Sequence, residues 1–132
     1  METVLVDSGA IVALLNADDL LHRQARSILE EMRKKGVAPL LTNFILAETF
    51  SALTIIGPDA ARTWLRHNIW PVERASEADE RRAREIILGK DFQDISYTDA
   101  VSMAIMERLG IKWAFTFDRV FAGKGFSPLP EL

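Results

Sequence analysis

The sequence contains no cysteine and only two histidines, His22 and His67. Disulfides, zinc sites built from thiolates and cysteine-histidine nucleophile pairs are therefore excluded. No run approaches the ~18 consecutive apolar residues of a membrane-spanning helix, because Asp7, Asn16 and Glu48 interrupt the most apolar segments. The start of the chain also lacks the basic and then apolar pattern of a signal peptide. We therefore expect a cytoplasmic protein that does not enter a membrane.

Glycine-rich phosphate loops are also lacking, since neither G-x-G-x-x-G nor G-x-x-x-x-G-K occurs, and this disfavours a nucleotide-binding protein. Phosphatases of the aspartyl-phosphate kind usually carry a second Asp two residues after the first, where this chain has Gly9. The formal net charge of −3 provides no general attraction to nucleic acid. A nucleic-acid site would therefore need local basic residues or bound cations.

The chain has 132 residues, 48% of them hydrophobic, which is enough for one buried core without disulfides or structural metals. No linker divides the sequence. We expect a single domain over residues 1–132. Strands are predicted over residues 4–6, 37–41, 69–72 and 112–116, and helices over residues 8–16, 18–36, 43–56, 58–67, 76–88 and 96–109. A helical turn over 118–123 and an irregular segment or edge strand complete the chain.

This alternation of strands and helices predicts an α/β fold, a three-layer α/β/α sandwich around a mainly parallel sheet, because parallel strands need helical crossovers. Pro39 lies near the middle of the second predicted strand and argues against a fully paired position for it.

Four acidic residues fall near the edge of this sheet where all the parallel strands end. Asp7 directly follows the first strand, and Asp118 lies two residues after the strand at 112–116. Glu48 lies under two turns into its helix, and Asp99 lies in the first turn of another. Because ligands of such folds bind beyond the carboxyl ends of the strands, we expect these acids to converge there.

Converging carboxylates repel one another unless a cation balances them. Oxygen ligands of this kind suit Mg²⁺ or Mn²⁺, which also bind phosphate and activate water. The pattern therefore indicates metal-assisted hydrolysis.

Each acid also has a structural interpretation that needs no chemistry. Asp7 and Asp118 are placed to cap the helices that follow them, and Asp99 lies three residues after Ser96, which is the spacing of a capping box. Asp94 is best interpreted as a loop acid that favours a turn. Glu48 is the hardest to explain structurally, because an acid among apolar neighbours costs free energy if it is buried without a partner.

Taken together, the motifs resemble those of PIN-domain ribonucleases, and in particular the VapC-like toxins of type II toxin-antitoxin systems. The resemblance spans nearly the whole chain. Its motifs are residues 4–8 (VLVDS), 47–48 (AE), 94–100 (DISYTDA) and 116–121 (TFDRVF).

The resemblance implies a metal-dependent ribonuclease whose catalytic metal site is Asp7, Glu48, Asp99 and Asp118, with Ser8 and Thr116 as neighbouring hydroxyls. It further implies an RNA substrate, a homodimer and an antitoxin protein whose C-terminal segment covers the active-site groove. The alternative is a catalytically silent PIN-fold module that binds RNA or a protein partner.

Basic residues that could follow the RNA backbone are Arg23, Arg26, Arg81, Arg82, Arg84 and Arg119. Arg119 is the best candidate because it adjoins Asp118. The arginines at 81–84 share their helix with several acids, which is typical of a solvated face. The three tryptophans are more typical of a core or an interface than of base stacking.

Overall fold

The computed structural model describes residues 2–89 and 94–129. Its strands are β1 (Thr3–Val6), β2 (Ala38–Thr42), β3 (Val72–Glu73), β4 (Trp113–Phe115) and β5 (Ser127–Leu129). They form one sheet in the order β3-β2-β1-β4-β5, and every neighbouring pair is parallel. The predicted α/β/α fold with a parallel central sheet is confirmed.

The helices are α1 (Ser8–Leu15), α2 (His22–Lys34), α3 (Asn43–Ile56), α4 (Pro58–His67), α5 (Glu77–Ile87), α6 (Tyr97–Leu109) and α7 (Val120–Gly123). Because β1 is central, right-handed crossovers from β1 toward β3 and from β3 back to β4 must cover opposite faces of the sheet. Among the described residues, no helix combines the length and apolar character needed to cross a membrane.

The core lies on both sides of β1. Val4, Leu5 and Val6 are almost completely buried, and so are Phe115 on the neighbouring strand and Ile11 on α1. Full burial of one such aliphatic or aromatic side chain contributes about 1.5–3 kcal/mol to stability. The central strands are thereby fixed, and the residues that follow them are held at one edge of the sheet.

The second helix begins later than the sequence predicts. α2 starts at His22 and not at Asp18 or Asp19. The Asp19 carboxylate accepts a hydrogen bond from Leu21 N (2.8 Å), and its carbonyl accepts one from His22 N (3.0 Å), so Asp19 closes a separate turn. His22 is half-buried, and its ring Nδ1–H donates to the carbonyl of Ala13 at 2.7 Å.

β2 lies inside the sheet, between β1 and β3, but the part of β2 that contains Pro39 pairs only with β1. Ala38 N donates to Glu2 O on the β1 side, whereas Leu41 N donates to Pro71 O on the β3 side. Pro39 therefore faces the β3 side, where only Leu41 and Thr42 are paired, and its missing N–H costs no ladder bond. The third strand was predicted over residues 69–72, but in the structure it is β3 (Val72–Glu73).

An irregular segment or an edge strand was predicted for the end of the chain. The structure has the edge strand, since β5 pairs with β4. Residues 130–132 of that predicted tail lie outside the described residues.

Two Ser-x-x-Asp motifs begin helices α5 and α6, but they differ in structure. Ser76 and Asp79 form a complete capping box, with Asp79 N donating to Ser76 Oγ and Ser76 N donating to the Asp79 carboxylate. At α6, Asp99 N donates to Ser96 Oγ at 3.0 Å, and the described residues include no reciprocal bond from Ser96 N. The Asp99 carboxylate therefore does not close a capping box with the backbone of Ser96, and it lines the cleft at the end of the sheet.

The buried Asp79 carboxylate also joins α5 to α6 through Arg108. Arg108 Nε and Nη2 donate to its two oxygens at 2.9 and 3.0 Å. These bonds lower the pKa of Asp79 below its ordinary value. The ion pair stabilises the packing of α6, the helix that carries Asp99.

We expect Arg108→Gln to lower the free energy of unfolding by about 1–2 kcal/mol at pH 7, because it leaves a 3% exposed carboxylate without its cation. Since the pKa of Asp79 is depressed in the folded state, this stabilisation is present above pH 3.8 and is lost as the pH falls further. Urea unfolding at pH 7 and pH 3 measures it. Arg82→Gln, in an exposed ion pair, is the control and should cost about 0.5 kcal/mol; equal losses for both variants would contradict the prediction.

Candidate active site

An open cleft lies at the edge of the sheet where the parallel strands end. Its lining combines acids, small polar residues, one aromatic ring and one arginine: Asp7, Ser8, Gly9, Glu48, Ser96, Asp99, Phe117, Asp118 and Arg119. All four acids predicted from the sequence therefore line the same cleft. They come from the ends of β1 and β4, from the second turn of α3 and from the first turn of α6.

Asp7 is the most deeply placed of the four acids, with 6% of its surface exposed. It is the N-cap of α1, and its Oδ1 accepts a hydrogen bond from Ser8 N at 2.9 Å. Its Oδ2 accepts one from Thr116 Oγ1, also at 2.9 Å. The backbone amide of Asp7 donates to Phe115 O on β4. Capping and site formation are thus performed by the same carboxylate.

Glu48 enters the cleft as an exposed side chain, so the cost expected of an acid that is buried without a partner does not arise. Ile45, three residues earlier on α3, is buried in the core instead. The Ser8 hydroxyl donates a short hydrogen bond to Glu48 Oε1 and so links α3 to α1. Glu48 therefore reaches the cleft as a solvent-facing acid.

Asp118 and Asp99 complete the acidic lining. Asp118 is exposed, its amide donates to Thr116 Oγ1 at 3.0 Å, and its Oδ1 accepts a hydrogen bond from the amide of Val120, the first residue of α7. Asp99 is 7% exposed and lies in the first turn of α6. Asp94, by contrast, is exposed and does not line the cleft, in agreement with its interpretation as a loop residue.

Two of these acids, Asp7 and Asp99, have raised pKa values. Burial, opposed by the hydrogen bonds from Thr116 and Ser8, together with the charges of Glu48 and Asp118, raises the pKa of Asp7 to about 6. Burial, with the charges of Asp7 and Asp118, raises the pKa of Asp99 to about 7. Each acid thus lies within the electric field of the others, and a cation in the cleft would relieve their repulsion.

The chemistry of these donors fits a hard divalent cation, since every donor is a carboxylate or hydroxyl oxygen. Within residues 2–89 and 94–129, however, no three acidic or histidine side chains are gathered closely enough to hold a metal ion. The carboxylates share a cleft without meeting at one point. Metal binding would therefore require side-chain rotation at Glu48 and Asp118, which are exposed and each accept one hydrogen bond.

The remaining predicted site residues divide into two groups. Ser8 and Arg119 line the cleft, but Thr116 is 2% exposed and hydrogen-bonds to Asp7 behind it. Thr116 is thus placed to position an acid and not to touch substrate. Arg26 lies in a separate apolar groove between α2 and α4.

Sequence reasoning missed three residues of the lining: Gly9, Ser96 and Phe117. Gly9 and Phe117 each adjoin a predicted acid or hydroxyl residue, so proximity in sequence could have identified them. Ser96 was interpreted only as a helix cap.

The parallel sheet, with acids at its carboxyl edge, indicates a protein whose site lies beyond the ends of the strands. The sequence profile of the PIN domain matches residues 4–126, and the chain belongs to the PIN domain family.

Individual members of the family resemble the chain closely. It is 29% identical over 127 residues to the 23S rRNA-specific endonuclease VapC20 of Mycobacterium tuberculosis, covering 93% of this chain and 95% of that protein. The crystal structure of the same protein, described as a Sarcin-Ricin loop cleaving toxin, superposes with a TM-score of 0.83 over 93% of this chain. The predicted resemblance to VapC-like proteins is confirmed.

A more distant structure, VapBC2 from Rickettsia felis bound to a DNA fragment from their promoter, superposes with a TM-score of 0.70. It covers 92% of each chain at 12% identity and supports the fold alone.

We expect Asp99→Asn to stabilise the metal-free protein. The pKa of Asp99 is raised to about 7 in the folded state, so the folded protein favours the neutral carboxyl group. The protein is therefore most stable with respect to this group below pH 3.8, and it loses that stability as the pH rises through about 7 and the group ionises. In EDTA at pH 8, the substitution should therefore add about 2 kcal/mol to the free energy of unfolding, and at pH 4 almost nothing. Thermal or urea unfolding at the two pH values measures this difference.

The control is Asp94→Asn, which changes the same charge at an exposed position and should alter stability by less than about 0.5 kcal/mol. A loss of stability for Asp99→Asn at pH 8 would contradict the assignment of a crowded, destabilising acid.

Proposed function

We propose that the chain is a metal-dependent endoribonuclease that hydrolyses RNA phosphodiesters and acts as the toxin of a toxin-antitoxin pair. The observation that carries the proposal is the convergence of Asp7, Glu48, Asp99 and Asp118 with Arg119 in one open cleft. The similarity to VapC20, which extends over 93% of the chain, supports it.

The four acids would hold Mg²⁺ or Mn²⁺, which when bound supplies Lewis-acid activation of water and of the phosphoryl group. Arg119 is placed to donate hydrogen bonds to a phosphate oxygen. Ser8 holds Glu48, and Thr116 holds Asp7. In the reaction, a water oxygen bonds to phosphorus, one P–O ester bond breaks, and the proton released from water is balanced by protonation of the leaving oxygen.

The proposal includes the partners and the location that this activity implies. An antitoxin protein would restrain the enzyme, a homodimer would be its working form, and the cytoplasm would be its location, where RNA is accessible. Because VapC20 is named for 23S rRNA and its Sarcin-Ricin loop, that RNA loop is the first substrate to test.

The decisive measurement is cleavage of a 23S rRNA sarcin-ricin hairpin and of a pool of single-stranded RNAs by the purified protein. We expect cleavage with Mg²⁺ or Mn²⁺, none with EDTA, and a loss of about 100-fold or more in Asp118→Asn, because removal of one charge-stabilising group typically costs that much. Asp94→Asn is the matched control with the same chemical change outside the cleft, and it should cleave like the wild type.

Calorimetric titration with Mn²⁺ provides a readout that does not depend on cleavage. Wild-type protein that binds Mn²⁺ in the cleft but leaves every RNA intact would favour the catalytically silent module instead. Cleavage that persists in Asp118→Asn would indicate a contaminating nuclease or a different site.

Thr116→Val tests the positioning of Asp7. The valine keeps the shape of the buried side chain but removes the hydroxyl that donates to Asp7 and accepts from Asp118 N. Loss of such a supporting bond typically costs 10–100-fold in metal affinity or activity, so kcat should fall about tenfold or more with little change in KM.

Thr116→Ser keeps the hydroxyl and should restore kcat and Mn²⁺ affinity. If the valine and serine variants are equally impaired, packing and not hydrogen bonding is what position 116 supplies.

A further inference from the structure

The three arginines of α5 have different surroundings. Arg82 forms ion pairs with Glu85 (3.2 Å) and Glu107 (3.1 Å). The salt bridges found in the described part of the chain include neither Arg81 nor Arg84, and both of these side chains are exposed. All three side chains are exposed, as expected of a solvated face, but among the described residues only Arg82 is engaged by acids.

Arg84 lies beside Tyr97, the first residue of α6. Glu80 and Arg84 are one helical turn apart on α5 and so share a face. The Tyr97 hydroxyl donates to Glu80 Oε1 at 2.8 Å, which brings the ring against this face. The hydrogen bond to Glu80 raises the pKa of the Tyr97 hydroxyl, and the charge of Arg84 opposes that effect. An aromatic ring and a cation are thus neighbours on the surface.

The Tyr97 ring is held in place and yet open to solvent. Its hydroxyl is fixed by Glu80, and the ring packs on Phe44 with a centroid separation of 5.7 Å and an interplanar angle of 51°. The residue nevertheless remains 41% exposed. An aromatic ring that is fixed before binding can stack on a nucleobase without losing further rotamer freedom.

This ring is continuous with the catalytic cleft by two routes. Phe44, which it contacts, lies one turn before Glu48 on the same face of α3. Ser96, its neighbour in sequence, lines the cleft itself. A path therefore leads from Glu48 over Phe44 and Tyr97 to Arg84.

We propose that Tyr97 and Arg84 form a nucleotide-binding platform beside the carboxylate cleft, where a base of single-stranded RNA stacks on Tyr97 and Arg84 contacts the adjoining phosphate. The proposal rests on the ribonuclease function above and names a binding site for the same substrate. Stacking accepts an unpaired base of any sequence, and the cation offsets the negative charge of the cleft. A protein partner would gain less from this pair, because the exposed apolar area of one ring is small.

The first test measures binding of a fluorescein-labelled single-stranded RNA by anisotropy, with Mg²⁺ present. Asp99→Asn protein serves as the background, so that the RNA stays intact. Tyr97→Ala should weaken binding about tenfold, since base stacking on one aromatic ring contributes that order of affinity. Tyr97→Phe keeps the ring and loses only the hydroxyl, so its dissociation constant should stay within about twofold of the parent. Circular dichroism and thermal unfolding establish that both variants are folded.

The second test uses charge, with a control on the same helix. Arg84→Gln should weaken binding several-fold and reduce the slope of log affinity against log salt by about 0.7, the value for one lost phosphate contact on a single strand. Arg82→Gln removes the same charge from a side chain engaged by Glu85 and Glu107, and its slope should match the parent protein. Equal effects of the two substitutions would mean that the RNA responds only to the overall positive charge of the helix, and this would overturn the proposed platform.

Binding and cleavage separate this proposal from the ribonuclease function. If Tyr97→Ala and Arg84→Gln weaken RNA binding while the wild type cleaves no RNA, the platform stands and the hydrolase fails. If the wild type cleaves RNA and both variants bind like their parent, the hydrolase stands and the platform is overturned. The platform is likewise overturned if Tyr97→Ala changes the oligomeric state in size-exclusion chromatography without changing RNA affinity, because the ring then serves an interface between copies of the chain.

Discussion

The buried carboxylate of Asp7 is the constraint on which the rest of the site depends. A carboxylate at the end of a central strand, shielded from water, is costly unless hydrogen bonds replace its hydration. Ser8 N and Thr116 Oγ1 supply these bonds. The same two residues then hold the other acids, since Thr116 Oγ1 accepts the amide of Asp118 and the Ser8 hydroxyl donates to Glu48. One hydrogen-bonded network therefore joins the ends of β1 and β4 to α1 and α3.

Asp99 belongs to the cleft without belonging to this network. Its position comes from α6, which is almost entirely buried along its middle and is clamped to α5 by Arg108 and Asp79. Burial and the charges of its neighbours raise its pKa, so the folded metal-free protein carries a group that would be more stable in water. The packing of the surrounding helices and sheet offsets that cost. Ionised Asp99 therefore lowers the stability of the metal-free fold.

The sequence was sufficient to predict the sheet and the convergence of the acids, because alternating elements and parallel strands leave one edge for Asp7 and Asp118. It was insufficient wherever a tertiary contact decides between equal local patterns. Ser76 with Asp79 and Ser96 with Asp99 have the same spacing, yet only the first pair forms a closed box, and its Asp79 also pairs with Arg108. The exposure of Glu48 likewise depends on how α3 is rotated, and its nearly uniform apolar surroundings in sequence do not reveal that rotation.

The charge of the cleft has a consequence for how a substrate would be chosen. Four carboxylates repel a phosphodiester, so the affinity for RNA has to come from a cation or from groups around the acids. Arg119 provides one positive charge at the lining itself. Further affinity has to come from the rim, where Tyr97 is held in place and exposed by Glu80 and Phe44. Under the proposed function, the acids would serve the cleavage of the phosphodiester, and the residues of the rim would serve the choice of RNA.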